Sequence, residues 1–424
     1  VTALVAVAVV ATAGCTSSGN DGARSSGAVT ATTMAHHNMA GPAAVPANAS
    51  PQEVQTRFEQ LLGQHAVLAV RLTRNEVAKA DDQRAATESA LAANTDALHQ
   101  LVGVAYGDAS ADRFKQLWQS YAGELAAYAN GVASGNTAGA QEARAALLAY
   151  CKDWGAWLAQ ASSGRVDAGA AERAATARID QLTRQVDAYA TKDYEQAYKL
   201  QRSAYERTYG TGATLAKGSV SAKEAAGLDA APEQMRSAFA MLLGEHMELI
   251  VEAQRATFAG AEEFDAAADQ LNANTATMAK AMGGIVGPQK AAEFQTAWAN
   301  HVEGLMAYTA AVAGNDEAGK MVAKENLDGF AERLALFFSD VVRNLLATDP
   351  LTDAITSHDS HLINHVDAFA AKDYARAHQV EDEGYQQMAG IATVLVDAIQ
   401  KVMQSQQPAG GMKTGGGGTA HRHR

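Results

Sequence analysis

Apolar side chains recur along most of this chain at intervals of three and four residues, the spacing that gathers them on one face of an α-helix. Leu147, Tyr150, Cys151, Trp154 and Leu158 form one such stripe, and Leu362, Val366 and Phe369 form another. Nowhere does the chain alternate apolar and polar residues with the period of two that a half-buried strand needs. Ala, Leu, Glu, Gln and Lys dominate long stretches, and only 7 prolines occur in 424 residues. Such unbranched side chains lose little rotamer freedom in a helix, so the pattern predicts an all-α protein.

The pattern is also written twice. Leu61-Leu62-Gly63-Gln64-His65 returns as Leu242-Leu243-Gly244-Glu245-His246, and Phe114, Trp118, Leu125 and Tyr128 return as Phe294, Trp298, Leu305 and Tyr308. Val186-Asp187-Ala188 with Lys192-Asp193-Tyr194 returns as Val366-Asp367-Ala368 with Lys372-Asp373-Tyr374. An offset that stays near 180 residues throughout is a duplication. In the second copy the spacing predicts helices over roughly 231–258, 260–284, 288–314, 317–345, 350–371 and 373–403, broken at Gly-Pro, Gly-Asn-Asp and Asp-Pro. Short connections favour antiparallel neighbours. The expected architecture is therefore two tandem up-and-down bundles of about six helices each, over residues 51–216 and 231–404, with a linker at 217–230.

The ends differ from the middle. An apolar run from Val1 to Ala11 leads into Thr12-Ala13-Gly14-Cys15, which resembles the lipobox of bacterial lipoproteins. That reading makes residues 1–15 a signal peptide, Cys15 the lipidated anchor to the cell membrane, and the Ser/Gly/Ala/Thr-rich residues 16–50 a tether outside the cytoplasm. Residues 405–424 read as a disordered Gly/His tail. Lys and Arg number 34 against 47 Asp and Glu, a net charge of -13, which disfavours nucleic acid and anionic headgroups as partners. Cys151 then has no pairing partner and sits on an apolar stripe, as a core thiol does.

Candidate chemistry appears where metal-ligand residue types fall on apolar stripes. Leu242, His246, Leu249 and Ile250 share a helix face, as do Trp298, His301, Leu305 and Tyr308. On the next-to-last helix His361 and His365 lie one turn apart, a spacing that lets two imidazoles reach one ion. Met388 lies with Tyr385, Ile391 and Leu395 on the last. A single inward His or Met is ordinarily a core residue, but His246, His301, His361 and Met388 each fall near mid-helix, the positions that share a layer in an antiparallel bundle. Imidazoles with one thioether suit copper, particularly Cu(I), or an axial pair for haem. Glu245 is a flanking ligand or outer acceptor, Asn274 could hold an imidazole, and His358 and His378 read as rim residues. The first copy keeps His65 but has Tyr121, Gln181 and Thr208 in place of His301, His361 and Met388, so the cluster belongs to the second unit.

The order of these residues resembles a group of bacterial secreted repeat proteins with the pattern Leu-Leu-x-Glu-His, Trp-x-x-His, a later His and a closing His-Met pair. Glu245-His246, Trp298, His301, Tyr308, His361, Asp367 and Met388 match it, while Gln387 stands at the His of the closing pair. The resemblance implies extracellular helical repeats with a copper association. Some members carry a copper amine oxidase label, but no Asn-Tyr-Asp or Asn-Tyr-Glu is present here to form the quinone cofactor. The chain also lacks a nucleophile elbow, a His-Glu-x-x-His and a Glu-x-x-His pair, so no enzyme is expected. The alternatives to a copper-binding lipoprotein are a structural module of the cell envelope that binds a protein partner, and a bundle that binds haem without covalent attachment.

Overall fold

The computed structural model describes residue 46 and residues 48–406. The expected signal peptide, lipidated Cys15, most of the tether and the tail from residue 407 onward lie outside the described residues. Among the described residues there are thirteen helices and no strand. The first six are α1 (Pro51–Ala78), α2 (Asp81–Tyr106), α3 (Asp108–Ser134), α4 (Thr137–Ala161), α5 (Ala168–Ala190) and α6 (Tyr194–Ser219). A short α7 (Ala222–Leu228) falls in the expected linker. The last six are α8 (Ala231–Ala259), α9 (Ala261–Val286), α10 (Pro288–Ala313), α11 (Glu317–Val341), α12 (Thr348–Ala370) and α13 (Tyr374–Gln406).

Local chemistry explains the starts and stops. Ser50 and Glu53 form a reciprocal capping box on α1, and Asn136, Asp167, Asp193 and Asp316 each accept a backbone N–H in the first turn of the helix they precede. Gly107 and Gly287, both at φ +84°, each join two helices as a single residue, a conformation costly for any residue with a Cβ. α11 stops at Val341 rather than near 345 because Arg343 and Asn344 take left-handed conformations and turn the chain.

Within each half, helices adjacent in sequence pack together, and the first helix also meets the last. The two halves then pack through α1, α2 and α6 of the first against α8, α9 and α13 of the second. The middle turns of α1 and α8 are thereby enclosed, so that every residue from Leu242 to Gln254 is buried. The charged residues on their inner turns face the other unit. Arg71 lies 3.0 Å from Glu248 and 2.5 Å from Glu252 and also pairs with Glu381, while Arg74 reaches Glu252 at 2.8 Å. Cys151 is fully buried with its thiol donating to the carbonyl of Leu147, as a core thiol.

Candidate metal centre

Three histidines meet at mid-depth in the second unit. They are His246 from α8, His301 from α10 and His358 from α12, and one ring nitrogen of each lies within 4.8 Å of the others. Their placement follows from the stripes: Leu242 and Ile250 flank His246 on the buried face of α8, Trp298 and Leu305 flank His301, and Ile355 and Leu362 flank His358. An ion bonded at about 2.0–2.1 Å holds imidazole nitrogens roughly 3.4–3.6 Å apart, so a movement of about 1 Å closes the set.

All three rings are held neutral. Burial depresses His246 and His301 well below the usual histidine range, with neighbouring rings adding to the effect, and holds His358 at about 3. Neutral imidazole is the form that donates a lone pair to a cation. Nε2 of His246, Nδ1 of His301 and both nitrogens of His358 are buried without a hydrogen-bond partner, a costly arrangement unless something else engages them. His301 stacks on Phe330 with centroids 4.3 Å apart. The carboxyl of Asp359, also buried and without a hydrogen-bond partner, lies 3.5 Å from Nδ1 of His301. Burial, aided by Asp328, pushes it well above the usual carboxylate range.

The indole of Trp298 adds a condition. Its N–H donates to Nδ1 of His246 at 3.1 Å, which places the proton of the neutral imidazole on Nε2. Neither nitrogen can then ligate an ion while that bond persists. Ligation by His246 requires Trp298 to let go.

Other residues singled out from the sequence lie elsewhere. His361 sits one turn beyond His358, against Gly384 of α13, and is not in the cluster. His365 is a hydrogen-bonded core histidine whose Nδ1 is 2.7 Å from Oε1 of Gln254, on the side of the molecule where Glu381 and Arg255 influence it. The carboxylate of Glu245 accepts both Nε and Nη2 of Arg202, at 2.8 and 2.9 Å, and the amide of Asn274, so it bridges the two units. Asn274 holds that carboxylate and the carbonyl of Leu242 rather than an imidazole. His378, expected at the rim, is buried between Thr87 and Glu381. Met388 is buried, and with His301 and His358 it borders a cavity of about 50 Å³. The third imidazole is His358, and the carboxyl beside it is Asp359. The sequence signal for His358 was its place on the stripe Leu351, Ile355, His358, Leu362.

The first unit makes an informative contrast. Trp118 donates to Nδ1 of His65 at the same 3.1 Å, Tyr121 stands for His301, and Ile179 stands for Asp359. Arg178 takes the place of His358, with its guanidinium 4.9 Å from the Tyr121 ring and 5.2 Å from the Trp118 ring. Tyr150, the counterpart of Phe330, accepts from Nη2 of Arg178 at 3.1 Å. Where the second unit gathers imidazoles, the first has a fixed single positive charge.

Comparison with family models, with characterised proteins and with solved structures found no match to this chain. Among the described residues no helix is long and apolar enough to cross a membrane.

Proposed function

We propose that this chain holds one copper ion, as Cu(I), on His246, His301 and His358, and stores it or hands it on outside the cytoplasm while anchored to the membrane through a lipidated Cys15. The observation that carries the reading is the convergence of three neutral imidazoles, of which His301 and His358 present buried nitrogens without a partner and His246 accepts only from Trp298. Charge favours the monovalent ion. Moving a unit ion into low dielectric costs on the order of 20 kcal/mol before relaxation, and the cost rises with the square of the charge. Asp359 is the nearby carboxyl that could balance one positive charge, and Arg178 marks the same layer of the first unit as tolerant of a single buried cation. Trigonal imidazole ligation with a thioether near by suits Cu(I). Haem fits less well, because Phe330 lies face-on to His301 and a space of about 50 Å³ cannot take a porphyrin. The role is binding rather than catalysis.

A partner-binding role finds support in α11, where Met321, Val322 and Leu336 are 59–68% exposed.

The test is elemental analysis of the full chain after anaerobic Cu(I) loading and desalting, beside a His301→Tyr/His358→Arg variant. Those substitutions copy Tyr121 and Arg178, which the first unit accommodates, and circular dichroism checks the fold. One copper per chain fewer in the variant is expected. Equal copper in the two proteins would place the metal away from these histidines and remove this reading.

A further inference from the structure

The cavity beside the histidines says what else the ion would bind. Three protein donors leave Cu(I) at least one free coordination position. His301 and His358, two of the three, line a cavity of about 50 Å³ whose other walls include Met278, Phe294, Leu334 and Leu395. A volume of that kind holds roughly three to four water-sized spheres. A bound water needs two to four polar partners, and apart from the imidazoles and the indole N–H of Trp298 the wall is formed by apolar side chains. An anion would need several hydrogen-bond donors to replace its hydration, and beyond the imidazoles the wall supplies a single one, the indole N–H of Trp298. A long organic ligand would not fit. What remains is a small, neutral, apolar molecule with a lone pair or π-system for the metal.

We propose that the ion on His246, His301 and His358 takes a neutral diatomic gas as an exogenous ligand, seated in this cavity. The proposal rests on the metal reading above. It assigns the cavity as the ligand's seat, and it involves coordination alone, with no electron transfer. The first unit holds Arg178 in the corresponding layer and would bind no such ligand.

Carbon monoxide is the probe, because it binds Cu(I) without oxidising it and its stretching band is read directly by infrared spectroscopy. The full chain is loaded with Cu(I), its copper content is measured, and the spectrum is taken under carbon monoxide. One band is expected in the native chain and none in the His301→Tyr/His358→Arg variant. An Ala354→Phe variant, which fills the cavity from α12, should keep its copper and lose the band. Copper bound without a band in the native chain would overturn this proposal and leave the metal site standing. A band of undiminished strength in Ala354→Phe would overturn the cavity as the seat. No copper at all would remove both readings, and the elemental analysis separates that case from the others.

Discussion

The hydroxyls of Tyr205 and Tyr385 meet 3.0 Å apart, and the two residues occupy the same place in the two copies of the repeat. Arg71 likewise bonds Glu252, its own counterpart 181 residues on. Contacts between equivalent residues arise where two similar bodies pack about a two-fold axis, so the units face each other as the subunits of an isologous dimer do. Off the axis the pattern reciprocates. Gly63 is covered by Tyr385, and Gly244 by Tyr205. Arg202 bonds Glu245, while their counterparts Asp382 and Gln64 bond at 2.5 Å.

That reciprocity makes the two glycines close-approach points. A Cβ on Gly244 would lie 2.7 Å from the hydroxyl of Tyr205, and one on Gly63 would collide with the hydroxyl of Tyr385. Gly63→Ala and Gly244→Ala should each lower stability by about 1–3 kcal/mol, as overpacking does. Urea denaturation measures this. Because the hydroxyl is the colliding group, Tyr385→Phe should recover part of the loss in Gly63→Ala, and strict additivity in that pair would argue against the close approach.

Arg71 should be the most sensitive charged residue of the interface. Despite burial, its guanidinium holds Glu252 and Glu381 below the usual carboxylate range, whereas burial and the neighbouring Glu381 push Glu248 well above it. Arg71 thus faces two ionised carboxylates and one neutral carboxyl. Arg71→Met would keep most of the buried stem and strand the charges, at about 3–5 kcal/mol. A change below about 1 kcal/mol in chemical denaturation would mean that water relaxes the network more than the close packing suggests.

How much of this was legible follows from what periodicity can carry. His246 and His301 lie on long stripes at mid-helix, and the duplication placed both. His358, expected at the rim, is buried instead, because the stripe of Leu362, Val366 and Phe369 does not end at Leu362. Extending the stripe back to Leu351 and Ile355 puts His358 on it and leaves His361 outside. Asp359 gives no signal of its own, since a carboxyl one residue past a stripe normally reaches water. The packing of the units is long-range information absent from any helical repeat. Its trace is complementary chemistry at equivalent positions, Arg71 with Glu252, which only the duplicated register exposes.

Acid should weaken the fold through histidines that are not in the metal cluster. Burial, with Arg178 adding to it, lowers His65 to about 3, and burial does the same for His365. Their unfolded value is about 6.5. The folded rings stay neutral while the unfolded ones take up protons, so their contribution is fully present above about pH 6.5 and is lost as pH falls towards 3. Glu59, raised by burial to about 7, acts in the opposite direction, weakening the fold as pH rises from its unfolded range through 7. The urea midpoint should therefore fall between pH 6.5 and 4. The fall should be shallower in His65→Gln, which keeps an acceptor for Trp118. An unchanged slope in that variant would show that His65 is protonated in the folded state.

Trp298 decides how tightly the cluster can hold an ion. It is the one tryptophan of the second unit, the others being Trp118, Trp154 and Trp157. Its bond to Nδ1 of His246 has to break before either imidazole nitrogen ligates, so metal binding works against a hydrogen bond of about 0.5–1.5 kcal/mol net. Two consequences are measurable. Cu(I) loading should change the emission of the native chain, and the change should vanish in Trp298→Phe. The same variant should bind copper more tightly, by about twofold to tenfold on that energy, because nothing competes for Nδ1. Weaker binding in Trp298→Phe would give the indole the opposite role, aligning the His246 ring for the ion rather than restraining it.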